Sequence, residues 1–173
     1  MLDRLPEFID PLQLAERRGV LNGRLPLSTM DRLAEMGADD GGFAEVELRF
    51  SKEGKIATVR GRIEATVGLV CQNCLGMIRW PVVSDVALGV VASLDEASLL
   101  PEPYEPLLLG TSKLALKELV EDELLLAVPT IPKHSERCLE KMAHKNRPVI
   151  ESNEVAHENP FSVLAKLKHT GEK

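Results

Sequence analysis

Apolar and polar residues alternate most clearly in the middle of the chain. Val46, Leu48 and Phe50 oppose Glu45, Glu47 and Arg49, the two-residue period of a half-buried strand. Ser51 to Gly54 reads as a turn. From Ile56 to Cys71 the odd positions are Ala57, Val59, Gly61, Ile63, Ala65, Val67, Leu69 and Cys71, while the even positions include Thr58, Arg60, Arg62, Glu64 and Thr66. This predicts a long strand with one face in the core and the other in water. A third strand is expected over 79–91, with Trp80, Val82, Val86, Leu88 and Val90 on one face. Short connections make the three neighbours in an antiparallel meander.

Helical signals flank this region. Asp10 is a candidate cap, Pro11 suits a first helical position and Gly19 an end, with Leu12, Leu14 and Ala15 as the apolar side. Val20 to Leu27 reads as extended, Ser28 as the cap of a second short helix ending near Gly37, and Asp39 to Gly42 as a loop. Residues 93–110, acidic and bearing Pro101, Pro103 and Pro106, are expected to be a partly mobile connection. A helix is expected over 112–128, with Leu116, Leu119, Val120, Leu124 and Ala127 as its core stripe and Pro129 as its stop. A last short helix starts at Asn159 and Pro160 and carries Phe161, Leu164 and Leu167 on one face. It either packs on its own domain or serves as a docking peptide for a partner. The fold class is α+β, an antiparallel meander of three or more strands against one main helix with short terminal helices. Residues 1–147 form the expected domain, and 148–173 a flexible linker with the short helix.

Composition narrows the function. With 44% hydrophobic residues in 173, the chain can bury a core. Acids outnumber bases 27 to 21, and a net charge of −6 excludes a polybasic nucleic-acid coat. The excess of acid lies in 1–49 and most strongly in 95–123; bases prevail in 50–94 and 124–173, so local basic surfaces remain available to RNA. Phe8, Phe43, Phe50, Trp80, Tyr104 and Phe161 are all the aromatics, too few for an exposed base-stacking platform. No apolar run approaches the roughly 18 residues of a membrane span, and Asp3 is followed by no secretory apolar segment. Three cysteines, an odd number, argue against a secreted disulfide scaffold and for the cytoplasm.

Cys71 and Cys74 form a C-x-x-C between two expected strands, with Gly76 placed to relieve the turn. Such a loop aims two thiolates at one ion, and His134 and Cys138 are candidates for the other two corners of a zinc site. The bland alternative is two semi-buried thiols at a hairpin and an unrelated third. A thioredoxin-like redox role is the weaker reading, because that motif opens a helix and this one joins strands. Glu118, Glu121 and Asp122 read as a solvated helix face, and Glu123 as a partly buried carboxylate paired with an arginine from the sheet. Arg60 and Arg62 on the wet strand face, and Lys133, Arg137, Lys141, Lys145 and Arg147 in the basic segment 133–147, are candidate RNA contacts. Phosphate loops, serine elbows and H-E-x-x-H patterns are absent, so no enzyme is expected.

Six stretches, in order, carry a resemblance. They are Ile9-Asp10-Pro11, Cys71-Gln72-Asn73-Cys74, Pro101-Glu102-Pro103-Tyr104-Glu105-Pro106, Leu119-Val120-Glu121-Asp122-Glu123-Leu124, Pro129-Thr130-Ile131-Pro132, and Asn159-Pro160-Phe161 with Leu164 and Leu167. Together they resemble the YceD family, the bacterial and plastid large ribosomal RNA subunit accumulation proteins, over nearly the whole chain. The resemblance implies a cytoplasmic, non-enzymatic factor for synthesis, processing or stability of 23S ribosomal RNA. It implies 23S rRNA or a large-subunit precursor as partner, and no catalytic residue. Relatives carry further cysteines near the position of Cys138, which implies a shared metal site; this chain offers His134 and Cys138 there. Two rivals stand beside this reading: an acidic chaperone for a basic ribosomal protein without RNA contact, and a thiol oxidoreductase using Cys71 and Cys74.

Overall fold

The computed structural model describes residues 5–36, 41–110, 113–135 and 138. Two compact units divide the chain, Met1–Leu139 and Glu140–Lys173. The described residues all belong to the first, and the expected boundary at 147 and the helix bearing Phe161, Leu164 and Leu167 lie outside them.

Alternation turns directly into strands. β1 (Phe8–Ile9), α1 (Pro11–Glu16), β2 (Val20–Pro26), a 3-10 turn (Leu27–Thr29) and α2 (Asp31–Glu35) lead into β3 (Phe43–Glu53), β4 (Ile56–Val70) and β5 (Met77–Val91). Then come α3 (Leu94–Ala97), β6 (Glu105–Leu108), β7 (Leu114–Ala115) and α4 (Leu116–Ala127). β2, β3, β4 and β5 pair antiparallel in chain order, with Val46 opposite Ile63 and Ile63 opposite Ser84. The odd positions of β4 are buried as their pattern requires, Val59, Ile63, Val67 and Leu69 among them. Gly61 is the exception that sterics explain: a Cβ there would lie 1.9 Å from the Glu47 carbonyl oxygen.

The sheet is mixed rather than wholly antiparallel. β6 runs parallel to β5, with Leu88 opposite Glu105 and Val91 opposite Leu108. The acidic proline segment is therefore built structure and not a loose connection. α3 is capped by Ser93. The segment between α3 and β6 is pinned by Tyr104, which is buried, lies under the Arg60 guanidinium (4.7 Å to the ring centre), accepts from Arg60 Nε at 2.7 Å and donates to Glu53. Local composition concealed this, because the residues that hold the segment are distant in sequence.

Helices cover one sheet face, with α1 on β3 and β4 and α4 on β4 and β5. Between them lie Ala15, Leu48, Phe50, Val59, Ile63, Val82, Leu116, Val120 and Leu124. Asp10 caps α1 through Gln13 N at 2.9 Å, as its pattern predicts, and Arg18 rather than Gly19 takes the left-handed conformation beyond its end. Leu114 and Ala115 pair with β1, so α4 begins at Leu116, later than the spacing suggests.

Three expectations are corrected. Ser28 does not cap α2, which starts after Met30, and the Met30 side chain makes no capping hydrogen bond. Glu121 supplies the missing acceptor from another helix: its Oε1 receives Arg32 N at 2.8 Å and Leu33 N at 3.1 Å, while Oε2 receives Arg32 Nε and Nη2. Glu121 is accordingly 3% exposed instead of solvated. Its neighbour Asp122 stays outside and pairs with the same arginine at 2.7 Å. Glu123 meets the Ser84 hydroxyl at 2.7 Å, not an arginine.

Removing Glu121 strands two first-turn N–H groups and leaves the Arg32 guanidinium with Asp122 as its remaining partner. Glu121→Ala is expected to cost about 2–4 kcal/mol in urea unfolding. Exposed Glu118→Ala stays within about 0.5 kcal/mol.

Candidate metal centre

β4 and β5 are joined by the six residues Cys71 to Gly76. Cys71 N donates to Gly76 O and Leu75 N to Cys71 O, both at 2.9 Å, which closes a tight loop at the sheet's end. Cys71 is buried and Cys74 half-buried. The left-handed residue of this turn is Leu75, with φ at 57°, and not the glycine that follows it. Gly76 lies against the cluster instead: a Cβ on it would stand 3.4 Å from Cys74 Sγ and 3.9 Å from His134 Cε1.

The second half of the site arrives from beyond α4. Val128 is buried at the helix end, Pro129 prevents continuation, and the chain crosses to the hairpin tip, where Pro132 O accepts Gln72 N at 2.9 Å. His134 Nε2 lies 3.2 Å from Met77 O; carrying the proton there, it donates to that carbonyl and leaves Nδ1 as a lone pair. Nδ1 sits 3.5 Å from Cys74 Sγ, and Cys138 Sγ sits 3.9 Å from Cys71 Sγ. All four ligand atoms lie within 4.8 Å of one another. Metal–sulfur bonds of about 2.3 Å place tetrahedral ligands about 3.8 Å apart, so the cluster has the dimensions to close on one ion. Three thiols and an imidazole whose other nitrogen is already held form the donor set of a structural metal site.

Electrostatics prepare one thiol. Burial alone would push Cys71 up, but the backbone N–H groups of Cys74, His134 and Asn73, with the His134 side chain, outweigh it and bring Cys71 down to about 5. Burial together with the neighbouring Cys74 and Cys71 sulfurs raises Cys138. Without a cation, three thiols this close resist full ionisation; a bound dication removes that conflict.

The other candidates are placed differently. Arg60 is tied to Tyr104 and lies 3.6 Å from Glu53. Arg62 pairs with Glu64 and, at 3.4 Å, with Asp85; the Glu64 bond above all raises its pKa. Both are on the open sheet face, each with acidic partners. Lys133 is exposed beside His134. Arg137, Lys141, Lys145 and Arg147 lie outside the described residues. The hollow lined by Asp31, Arg32, Lys117, Glu118, Glu121 and Asp122 is committed to ion pairs: Arg32 to Glu121 and Asp122, and Lys117 to Asp31 at 3.5 Å. Leu75 was missed by sequence reasoning, because Gly76 is the residue that composition nominates for a positive φ.

Comparison with known proteins adds a family. The family model described as "Large ribosomal RNA subunit accumulation protein YceD" matches residues 59–168, a span that includes all four cluster residues. A protein of Haemophilus influenzae with that same description is 34% identical over 168 residues, covering 95% of this chain and 97% of the relative. No solved structure matches.

If the cluster binds a dication, micromolar Zn²⁺ added to chelator-treated protein raises its Tm. Cys71→Ser or Cys138→Ser abolishes that rise, because a ligand bound only by the folded form stabilises it. Equal shifts in wild type and both variants would show that the ion binds elsewhere.

Proposed function

Because this chain belongs to the YceD family of large ribosomal RNA subunit accumulation proteins, we propose that it supports the synthesis, processing or stability of 23S ribosomal RNA. In this reading it acts by binding the rRNA or a large-subunit precursor and performs no covalent chemistry. The ion held by Cys71, Cys74, His134 and Cys138 is zinc, since thiolate and imidazole ligands at four corners suit it, and it supplies a cross-link in place of a larger core. The observation that carries the reading is the meeting of the hairpin tip with Pro132, His134 and Cys138, which brings the start of the basic segment to one end of the sheet. Lys133 stands at that end, and in this reading Arg137, Lys141, Lys145 and Arg147, which follow it in the chain, supply the further contacts to the RNA backbone. Arg60 and Arg62 take part only by exchanging their carboxylate partners for phosphate.

One observation favours a second reading, an adaptor for a basic ribosomal protein. Leu94 and Leu99 are among the most exposed apolar side chains, and they stand among Asp95, Glu96 and Glu102. Ultraviolet crosslinking in cells separates the two: the leading reading expects 23S rRNA adducts on peptides from 133–147, and the adaptor expects none. In sucrose gradients, cells lacking the protein are expected to lose large subunits relative to small ones. An unchanged subunit ratio together with the absence of crosslinks to RNA would overturn both the rRNA role and its proposed surface.

A further inference from the structure

We propose that the end of the sheet around the thiol cluster holds unpaired nucleotides of RNA, with Leu75 as the side chain that meets a base; this rests on the rRNA-binding reading above. The first observation is a conflict at Leu75. A non-glycine residue at φ 57° is strained by its own Cβ, by about 1–2 kcal/mol. Its side chain is also 76% exposed, so packing returns nothing for that strain. A leucine serves neither backbone nor core at this position, where glycine would suit the turn better, and such strain at a surface tip points to function.

The surroundings specify the ligand. Met77, 52% exposed, is tied through its carbonyl to His134. Ile131, 60% exposed, precedes the proline whose carbonyl binds Gln72. Three exposed apolar side chains thus flank one loop. The exposed amides of Gln72 and Asn73 stand in the same loop and carry the paired donor and acceptor that base edges require. Lys133 has no carboxylate partner among the described residues, and its ammonium suits a phosphate. In a chain with 27 acids, none occurs between Val67 and Ser84 or between Leu124 and Ser135. The loop and the segment as far as Ser135 therefore lack the charge that repels phosphate elsewhere, and Glu136 is the first acid beyond them. Apolar contact, amide edges and an exposed cation match a nucleotide's base, base edge and backbone in turn. The bases must be unpaired, because a stacked and paired base offers no face to a leucine.

Leu75→Gly tests this without harming the fold, since glycine takes the same φ freely. The probe is full-length 23S rRNA transcript with purified full-length protein. Wild type is expected to bind and to protect unpaired bases from dimethyl sulfate. Leu75→Gly keeps or raises its Tm, binds about fivefold more weakly, and loses base protection while backbone protection from hydroxyl radicals persists. Ile131→Ser, a second exposed change, weakens binding in the same direction. Identical base protection in wild type and Leu75→Gly would overturn this inference and leave the rRNA reading standing. A wild type without any footprint would overturn both. If Leu75→Gly binds RNA normally but no longer binds large-subunit proteins stripped of RNA, the surface belongs to a protein partner and the inference fails.

Discussion

The structure depends on a bridge between two distant stretches of chain. A hairpin of two 15-residue strands ends in a six-residue loop whose Gln72, Asn73 and Leu75 are exposed, so apolar burial does little to fix the tip itself. The chain answers by returning after α4, giving the Pro132 carbonyl to Gln72, and bringing an imidazole and a thiol to the two thiols of the loop. Replacing apolar burial with a compact donor cluster is the solution open to a small fold at an exposed corner. The same bridge determines where the basic segment begins.

Charge is distributed in keeping with that arrangement. On the open face of the sheet, arginines stand among carboxylates on the same and neighbouring strands: Arg24 with Glu45, Arg49 with Glu47, Arg62 with Glu64 and Asp85. Exposed pairs of this kind add little stability, but they cancel local field and keep a long polar face soluble. The hairpin tip, by contrast, is built from a stretch without acids, 67 to 84. A protein whose net charge repels RNA can still offer it one end.

Periodicity made the central strands legible, because a one-residue slip would have put Val59, Ile63 and Val67 into water. The α1 cap was legible for a similar reason, since Asp10 and Gln13 are three residues apart and the bond between them is local. What escaped was long-range. Glu121 is a surface residue by helical spacing alone and becomes buried because a helix 89 positions away presents unpaired N–H groups to it. The proline segment looked loose because the arginine that clamps Tyr104 belongs to β4. At the thiol loop the four donors and their partition between two segments were readable, while the left-handed leucine beside them was not, because φ depends on the closed turn.

The central claim is that a metal ion joins the hairpin to the returning segment, and a native mass spectrum of the full chain, purified without added metal or chelator, tests it most directly. The account predicts one zinc per chain, with X-ray absorption of the same sample fitting three sulfurs and one nitrogen. A chain at its metal-free mass, or zinc with only oxygen and nitrogen neighbours, would contradict it.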